Sequence, residues 1–420
     1  MIQGPNERGI LVGCIRRGQS LADLLESLDE LALLLQTSGG LAVGRVVQTN
    51  SQLDSATYVS LGKVDEIRWQ VEAEGAGLVL FDDELSPAQA RNLEEMLKVK
   101  VLDRTQLILD IFAQRAQSRE GKLQVELAQL NYLLPRLAGL GVELSRLGGG
   151  IGTRGPGETR LETDRRKIRR RIAHLRRSLE QVRRRRSLQR RSRRQGLLPT
   201  VALVGYTNSG KSTLLNVLTG ADVFVENQPF ATLDPTVRRV VLPDNRRILL
   251  VDTVGFIRKL PHQLVAAFRA TLEEVVEADV LVHVVDAGRS NWEEQCMAVV
   301  QVLEELGAGF HPLLTVFNKV DLLSPDQRTR LRTQHPDAVL ISARHGWGVP
   351  ELLDAVGSLL PDPTVVAAFH LPYHRGDLVS HLHDQGQVLE EHYTNQGIQM
   401  KVMMPRILAE RLSDYRVAGD

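Results

Sequence analysis

Three short stretches carry residue types whose order and spacing amount to a chemistry. In TVALVGYTNSGKSTLLNVL (200–218) an apolar run meets Gly205, then Gly210, Lys211 and Ser212, and then an amphipathic segment. G-x-x-x-x-G-K-[ST] between a strand and a helix is a phosphate-binding loop. The glycines let backbone N–H groups wrap phosphate oxygens, and the helix N-terminus favours the anion. Lys211 is expected at the β- and γ-phosphates and Ser212 at Mg²⁺, with Tyr206, Thr207, Asn208, Ser209 and Thr213 lining the nucleotide. ILLVDTVG (248–255) is an apolar strand ending in Asp252, with Gly255 three residues on. A carboxylate there can hold Mg²⁺ through water, and the Gly255 N–H can meet a γ-phosphate, whose loss would release the loop. LLTVFNKVD (313–321) runs a strand into Asn318, Lys319 and Asp321. The Asp321 carboxylate can accept from guanine N1–H and N2–H₂. Adenine lacks that donor pair, so ATP would leave the carboxylate unpaired. Lys319 would pack its stem on the purine. Further on, VLISAR (339–344) brings Ser342, Ala343 and Arg344 to a strand end, where backbone can meet guanine O6. The order is that of a Mg²⁺-dependent GTPase with GTP as substrate.

Between the first two stretches lies NQPFATLDPTVRR (227–239), where such an enzyme needs a mobile loop. Thr232, after Phe230, is the expected residue to close on Mg²⁺ and the γ-phosphate. Thr236 is the alternative, its plainer reading being a strand-edge hydroxyl. Phe256 stands where many GTPases carry a glutamine that orients water, and phenylalanine cannot do that by hydrogen bonding. Intrinsic hydrolysis is therefore expected to be slow and to need a partner, a cation or another residue. Asn208 can be a K⁺ ligand or a loop-stabilising amide.

The elements that must position these residues follow from periodicity and punctuation. Residues 1–104 alternate strand (10–15, 41–47, 77–81, 99–102) and helix (20–36, 63–74, 87–98), with Ser20 as an N-cap and Pro87 opening a helix. They should form a small α/β domain with a mostly parallel sheet. Residues 105–196 should form an antiparallel helical hairpin. One stripe is Leu123, Leu127, Leu130, Leu134 and Leu137; the other is Leu161, Ile168, Ile172, Leu175, Leu179 and Val182. Pro135 should kink or end the first helix. The glycine-rich connector 138–160 cannot hold a helix; it is either a flexible linker or a loop whose backbone approaches phosphate. Residues 197–360 should be the P-loop GTPase domain, and 361–420 a small α+β appendage reading strand, helix, strand, strand, helix. The fold class is thus α/β throughout, with helical and α+β additions.

The 420 residues sum to a net charge of +1, which on its face argues against a nucleic-acid partner. The sum hides its distribution. Residues 165–194 hold 16 Lys or Arg against Glu180 alone, so the remainder of the chain is acidic by nearly the same amount. Like charge at that density repels itself and calls for an anion, with nucleic acid ahead of a membrane surface. No aromatic residue lies in 161–194, so phosphate contact to folded RNA fits better than base stacking. Cys14 and Cys296 form neither a metal spacing nor a disulfide framework, and no apolar run is long enough to span a bilayer. A cytoplasmic monomer is expected, with the basic helix able to hold a fraction on anionic membranes.

The quoted stretches, together with SPAQARNLE (86–94), KLQVELAQLNYLLPRL (122–137), GGGIGTRGPGETRLETDRR (148–166), FATLDPT (230–236) and DTVGFIRKLPHQLVAAFRATLEE (252–274), resemble the HflX family of translation-factor-class GTPases over nearly the whole chain. Arg160 departs from the glutamine expected in that family's GPGETQ. The resemblance implies a ribosome-associated GTPase that binds the large subunit in its GTP state and, in some members, splits stalled or idle ribosomes under stress. It implies ribosomal RNA as the target of the loop and the basic helix. Arg154, Arg160, Arg165, Arg166, Arg183, Arg184, Arg185 and Arg186 are the candidate contacts. A ribosome-assembly role and a membrane-surface regulatory role remain as alternatives.

Overall fold

In the computed structural model the described residues are 7–49, 53–137, 156–194, 198–220, 230, 235–259, 273–289, 291–360, 364–405, 409 and 412–417. Strands β1 (Glu7–Cys14), β2 (Gly40–Gln48), β3 (Leu78–Phe81) and β4 (Lys100–Asp103) form a parallel sheet in the order β2-β1-β3-β4. Helices α1 (Leu21–Thr37), α2 (Leu61–Glu74) and α3 (Pro87–Leu97) connect them. β3 is buried along its whole length, as a parallel strand covered on both faces must be. Ser20 caps α1 with Asp23 bonding back to it, and Ser86 with Gln89 does the same for α3. Because β1 lies between β2 and β3, the connections diverge at the carboxyl ends of β1 and β3. That crevice is where doubly wound sheets take ligands. Asp82 and Asp83 follow β3 there.

Helices α4 (Arg104–Arg115) and α5 (Arg119–Arg136) come next. The expected leucine seam of α5 is not its most buried face. Gln124, Val125, Ala128 and Tyr132 are buried, whereas Leu123, Leu127, Leu130 and Leu134 are not fully buried. Small residues such as Gly121 and Ala128 let the helix approach its neighbours closely, which the bulky leucines do not. The helix ends one residue after Pro135, as expected. α6 (Pro156–Arg194) starts inside the segment expected to exclude helix. Proline at a helix start loses no hydrogen bond and has a helical φ already. Residues 138–155, with Arg154, lie outside the described residues. In α6, Ile172, Leu175 and Leu179 are buried, as the second stripe predicts. Arg171 donates to both oxygens of Glu126 at 2.6 and 2.8 Å, tying α6 to α5.

The second sheet has six strands: β5 (Thr200–Val204), β6 (Thr236–Val241), β7 (Arg247–Asp252), β8 (Val280–Asp286), β9 (Leu313–Asn318) and β10 (Val339–Leu340). Their order is β10-β9-β8-β5-β7-β6, parallel except for β6. Its helices are α7 (Lys211–Thr219), the short α8 (Glu273–Val276), α9 (Trp292–Glu305), α10 (Pro325–Gln334) and α11 (Val349–Leu359). All of β8 is buried. The sequence motifs fall in loops at the carboxyl ends of β5, β7, β9 and β10. One buried apolar cluster joins the two sheets. It includes Leu24, Leu28, Leu31 and Phe112 from the first, and Tyr206, Phe230, Val254, Phe256 and Ile257 from the second.

A separate compact unit holds β11 (Thr364–Leu371), α12 (Gly376–Gln385), β12 (Gln387–Thr394), β13 (Gly397–Pro405) and β14 (Arg416–Val417). The sheet is antiparallel in the order β12-β13-β11-β14. Phe369, Leu371, Leu382, Met400 and Val402 form its core. A closing helix was expected. Ala409, after β13, is helical, and the described residues then run through a 3₁₀ turn (Ser413–Tyr415) into β14, which covers part of the free edge of β11.

Candidate active site

The phosphate loop leaves β5 at Gly205 and enters α7 at Lys211. Two glycines there are obligatory on space as well as conformation. A Cβ on Gly205 (φ +145) would stand 2.3 Å from the Val284 carbonyl oxygen, and one on Gly210 (φ +97) 2.2 Å from Asn318 Nδ2. Asn208 also has a positive φ, and its backbone oxygen accepts from Lys319 Nζ at 2.7 Å. Ser209 is buried, and its carbonyl accepts from Asn318 Nδ2 at 2.8 Å. Thr213 lies in the first turn of α7. Lys211 Nζ donates to the carbonyls of Gly205 at 3.0 Å and Tyr206 at 2.7 Å. Burial pulls its pKa down to about 8, opposed by Asp252. A phosphate must therefore compete with two carbonyls for this ammonium.

Ser212 Oγ donates to Asp252 Oδ2 at 2.7 Å. A hydroxyl and a carboxylate oxygen at that separation suit a hard divalent cation such as Mg²⁺, which takes oxygen ligands. Asp252 is placed by its strand and by its neighbour, for Thr253 Oγ1 donates to the Leu203 carbonyl at 2.6 Å. Thr236 pairs with Asp252 at the start of β6, so it sits in the sheet. Thr232 lies outside the described residues.

Gly255 and Phe256 lie against the phosphate loop. Thr207 N donates to the Phe256 carbonyl at 2.7 Å, and Phe256 N to that of Gly205 at 3.1 Å. A Cβ on Gly255 would stand 2.8 Å from Thr207 Cα, so only glycine permits this approach. The Phe256 ring is buried in the cluster shared by the two sheets. Sequence reasoning cast it as a missing water-orienting group; its place in the fold is an anchor. Tyr206 and Phe230 share this behaviour. The Tyr206 ring is in the same cluster, its hydroxyl pKa raised by burial and by Glu30 of α1. The Phe230 ring meets Phe112 of α4 at 4.5 Å, near-perpendicular.

At the end expected to select the base, Asn318 is a cross-brace. Its Oδ1 accepts from Ala343 N at 2.9 Å while its Nδ2 holds the phosphate loop. Lys319 (φ +64) pairs with Asp286 at 2.8 Å. Ser342 Oγ donates to Asp321 Oδ1 at 2.6 Å, and that bond holds the Asp321 pKa below the ordinary value. The carboxylate is thus ionised and fixed in orientation, as guanine selection would require. Arg344 is exposed beside it.

The residues that sequence reasoning missed join this site to the first sheet. Lys259 reaches into the crevice at the end of β3, pairing with Asp82 and, at 2.6 Å, with Asp83. Arg258 pairs with Glu294 of α9 at 2.8 Å and Glu26 of α1 at 3.4 Å. Its carbonyl accepts from Arg104 Nη1 at 3.4 Å. Arg104 is buried and also bonds Asp82 at 2.6 Å, Glu30 at 2.9 Å and the Ser27 carbonyl at 2.8 Å. The available signal was the pair Asp82-Asp83 closing an apolar strand, and Arg258-Lys259 just after the Asp252–Gly255 motif.

The basic candidates divide. Arg166 is exposed and pairs with Glu162 at 3.4 Å; Arg165 is half-buried. Arg160, Arg183, Arg184, Arg185 and Arg186 lie within α6, outside the residues whose side chains are described.

Residues 25–113 match a family described as GTP-binding GTPase N-terminal, and 115–193 a GTP-binding GTPase middle region. Residues 200–319 match a 50S ribosome-binding GTPase family. A protein named GTPase HflX from Caldanaerobacter subterraneus subsp. tengcongensis is 48% identical over 414 residues, 98% of this chain and 94% of that one. The Escherichia coli protein of the same name is 45% identical, with 92% of each chain covered. A crystal structure of a protein called SsGBP with GDP aligns over 84% of this chain and 98% of its own, at 27% identity and a TM-score of 0.49.

Proposed function

The chain belongs to the HflX family of GTPases and hydrolyses GTP, and on that premise we propose that it binds the large ribosomal subunit in its GTP state. There it would act as a splitting, recycling or rescue factor under stress. The observation that carries this reading is the junction of nucleotide loop and N-terminal sheet. Gly255, which would meet a γ-phosphate, is four residues from Lys259, which is paired with Asp82 and Asp83. A change at the phosphate would therefore bias the placement of the module that bears the basic helix. The described side chains of that helix support an anionic partner, since Arg169, Arg170, Arg176 and Arg177 have no carboxylate partner among the described residues. We assign Mg²⁺ to Ser212 and Asp252, with Thr232 closing from the loop, and K⁺ to Asn208 if hydrolysis proves cation-dependent. Hydrolysis would be slow alone and stimulated by the ribosome, because Phe256 is committed to packing.

The test is cosedimentation with large subunits. Binding should require a non-hydrolysable GTP analogue, and R183E/R184E/R185E/R186E should weaken it and flatten its salt dependence. Equal binding with GDP would end the gating idea. Separation of intact ribosomes into subunits would support splitting, and binding to free subunits alone would support an assembly role instead. No described helix is long and apolar enough to cross a membrane.

A further inference from the structure

Outside the nucleotide site, the edge of the six-stranded sheet carries a groove of about 630 Å³ between α10, β10 and the start of α11. Arg328, Arg332, Trp347 and Glu351 line it, over a floor that includes Val339 and Leu340. Trp347 is half exposed (50%), yet it is held firmly. Its backbone N–H donates to the Ser342 carbonyl at 3.2 Å, and its backbone carbonyl accepts from Ser342 N at 3.0 Å. The His345 ring stacks on the indole at 5.1 Å, and the Arg328 guanidinium lies 5.7 Å from the indole centroid. Arg328 and Arg332 are one helical turn apart on α10 and face the same groove. Neither has a carboxylate partner among the described residues, and Arg328 Nε is buried without an acceptor.

We propose that this groove binds single-stranded RNA, one base stacking on Trp347 and a flanking phosphate bridging Arg328 and Arg332. The indole is half exposed, so a base can stack on the π-surface that His345 does not cover. Two guanidinium groups at i and i+4 suit the anionic backbone, with planar donors matched to phosphate oxygens. An acidic peptide fits less well. β10 is only two residues long, too short to add a strand by backbone pairing, and a peptide carboxylate would leave the indole face unused. This surface lies on elements other than the arginine helix, and the proposal does not depend on ribosome binding.

The experiment uses the full chain carrying R183E/R184E/R185E/R186E, so that the arginine helix contributes less to binding. It is irradiated with a ten-nucleotide unstructured RNA containing 4-thiouridine, and adducts are mapped by mass spectrometry. An adduct is expected on the peptide containing Trp347. R328Q/R332Q, and separately W347L, should weaken RNA binding about tenfold. GDP affinity should stay unchanged in R328Q/R332Q, which reports that the fold survives. No adduct at Trp347, or undiminished RNA affinity in R328Q/R332Q, would overturn the proposal. So would displacement of the RNA by a glutamate decapeptide at equal concentration, which would make the groove a peptide site.

Discussion

Arginine and lysine serve two opposed ends in this chain. Around the crevice of the first sheet, Arg104, Arg258 and Lys259 are surrounded by Asp82, Asp83, Glu26, Glu30 and Glu294, and each of them hydrogen-bonds to carboxylates in that set. Along α6 most of the cations whose side chains are described are exposed, and most of them have no acid beside them. In the first region charge fixes geometry, because an unpaired ion away from water is costly and each group must meet its partner. In the second, charge is left over and raises the local potential for something outside the chain. The contrast also explains why the net charge is uninformative, since paired and unpaired cations count equally in a sum. It further shows what the N-terminal crevice holds. The place where a doubly wound sheet ordinarily takes a ligand receives Lys259, from a loop that borders the phosphate site.

The largest effect should come from Arg104→Met, which leaves Asp82 and Glu30 buried without their shared partner. Breaking a buried pair from one side costs roughly 3–5 kcal/mol. Chemical denaturation should show a lower midpoint by a corresponding amount. A neutral result would mean that water reaches the crevice and that the two regions differ less than their burial indicates.

Lys259→Met should cost less, about 1–3 kcal/mol at pH 7, since Asp82 keeps Arg104 and the lysine is partly exposed. The loss should depend on pH in a definite direction. Burial pushes the Asp82 pKa up, but Arg104 and Lys259 outweigh it and hold the folded value below 3.8. A carboxylate depressed in the fold contributes above its unfolded pKa, and the contribution fades as pH falls through the lower folded value. The gap between the variant and the parent should therefore be full at pH 7 and close in strong acid. A gap that stayed full in strong acid, where the carboxylates are protonated, would remove the ion pairs as its cause.

Lys211 sharpens the contrast from a third position, as a buried cation whose bonds go to carbonyls. With its pKa near 8, the unliganded side chain loses its proton as pH rises past that value. Phosphate binding requires the ammonium, so above pH 8 GDP binding should take up a proton. Affinity should then fall by up to about tenfold per pH unit. Calorimetry at pH 8.5 in buffers of different ionisation enthalpy would show the uptake. Observed heats that did not vary with the buffer would place the Lys211 pKa well above 9.

The parts legible in the sequence are those set by local rules. Gly205, Gly210 and Lys211 stand out because phosphate geometry demands fixed spacing next to a strand and a helix. The Ser20 and Ser86 caps stand out because a helix start needs its own acceptors. Phe256 shows the limit: its neighbours specify a loop, while its burial depends on a second sheet. The Lys259–Asp82 pair spans 177 positions and follows no periodicity. The α5 seam fails for a related reason. The helix carries two apolar faces, and which is buried deeper depends on how closely α4 and α3 approach. The role of the groove at Trp347 was equally hidden, since Arg328, Arg332 and Trp347 look like scattered surface residues until α10 and β10 are side by side.

The smallest effect should come from Glu126→Gln. The Arg171–Glu126 pair has good bidentate geometry, and side-chain bonding to Glu126 raises the Arg171 pKa. Good geometry alone would rank it with the contacts of Arg104. Yet the guanidinium is half exposed, and water solvates both ions nearly as well apart as together. The register of α6 is set instead by Ile172, Leu175 and Leu179, which are buried whether or not the pair forms. The melting temperature of E126Q should match that of the parent, and high salt should change neither. A clear drop in E126Q that salt reproduces in the parent would show that the arginine helix is positioned by charge. The division between cations that build the fold and cations that serve a partner would then have to be redrawn at Arg171.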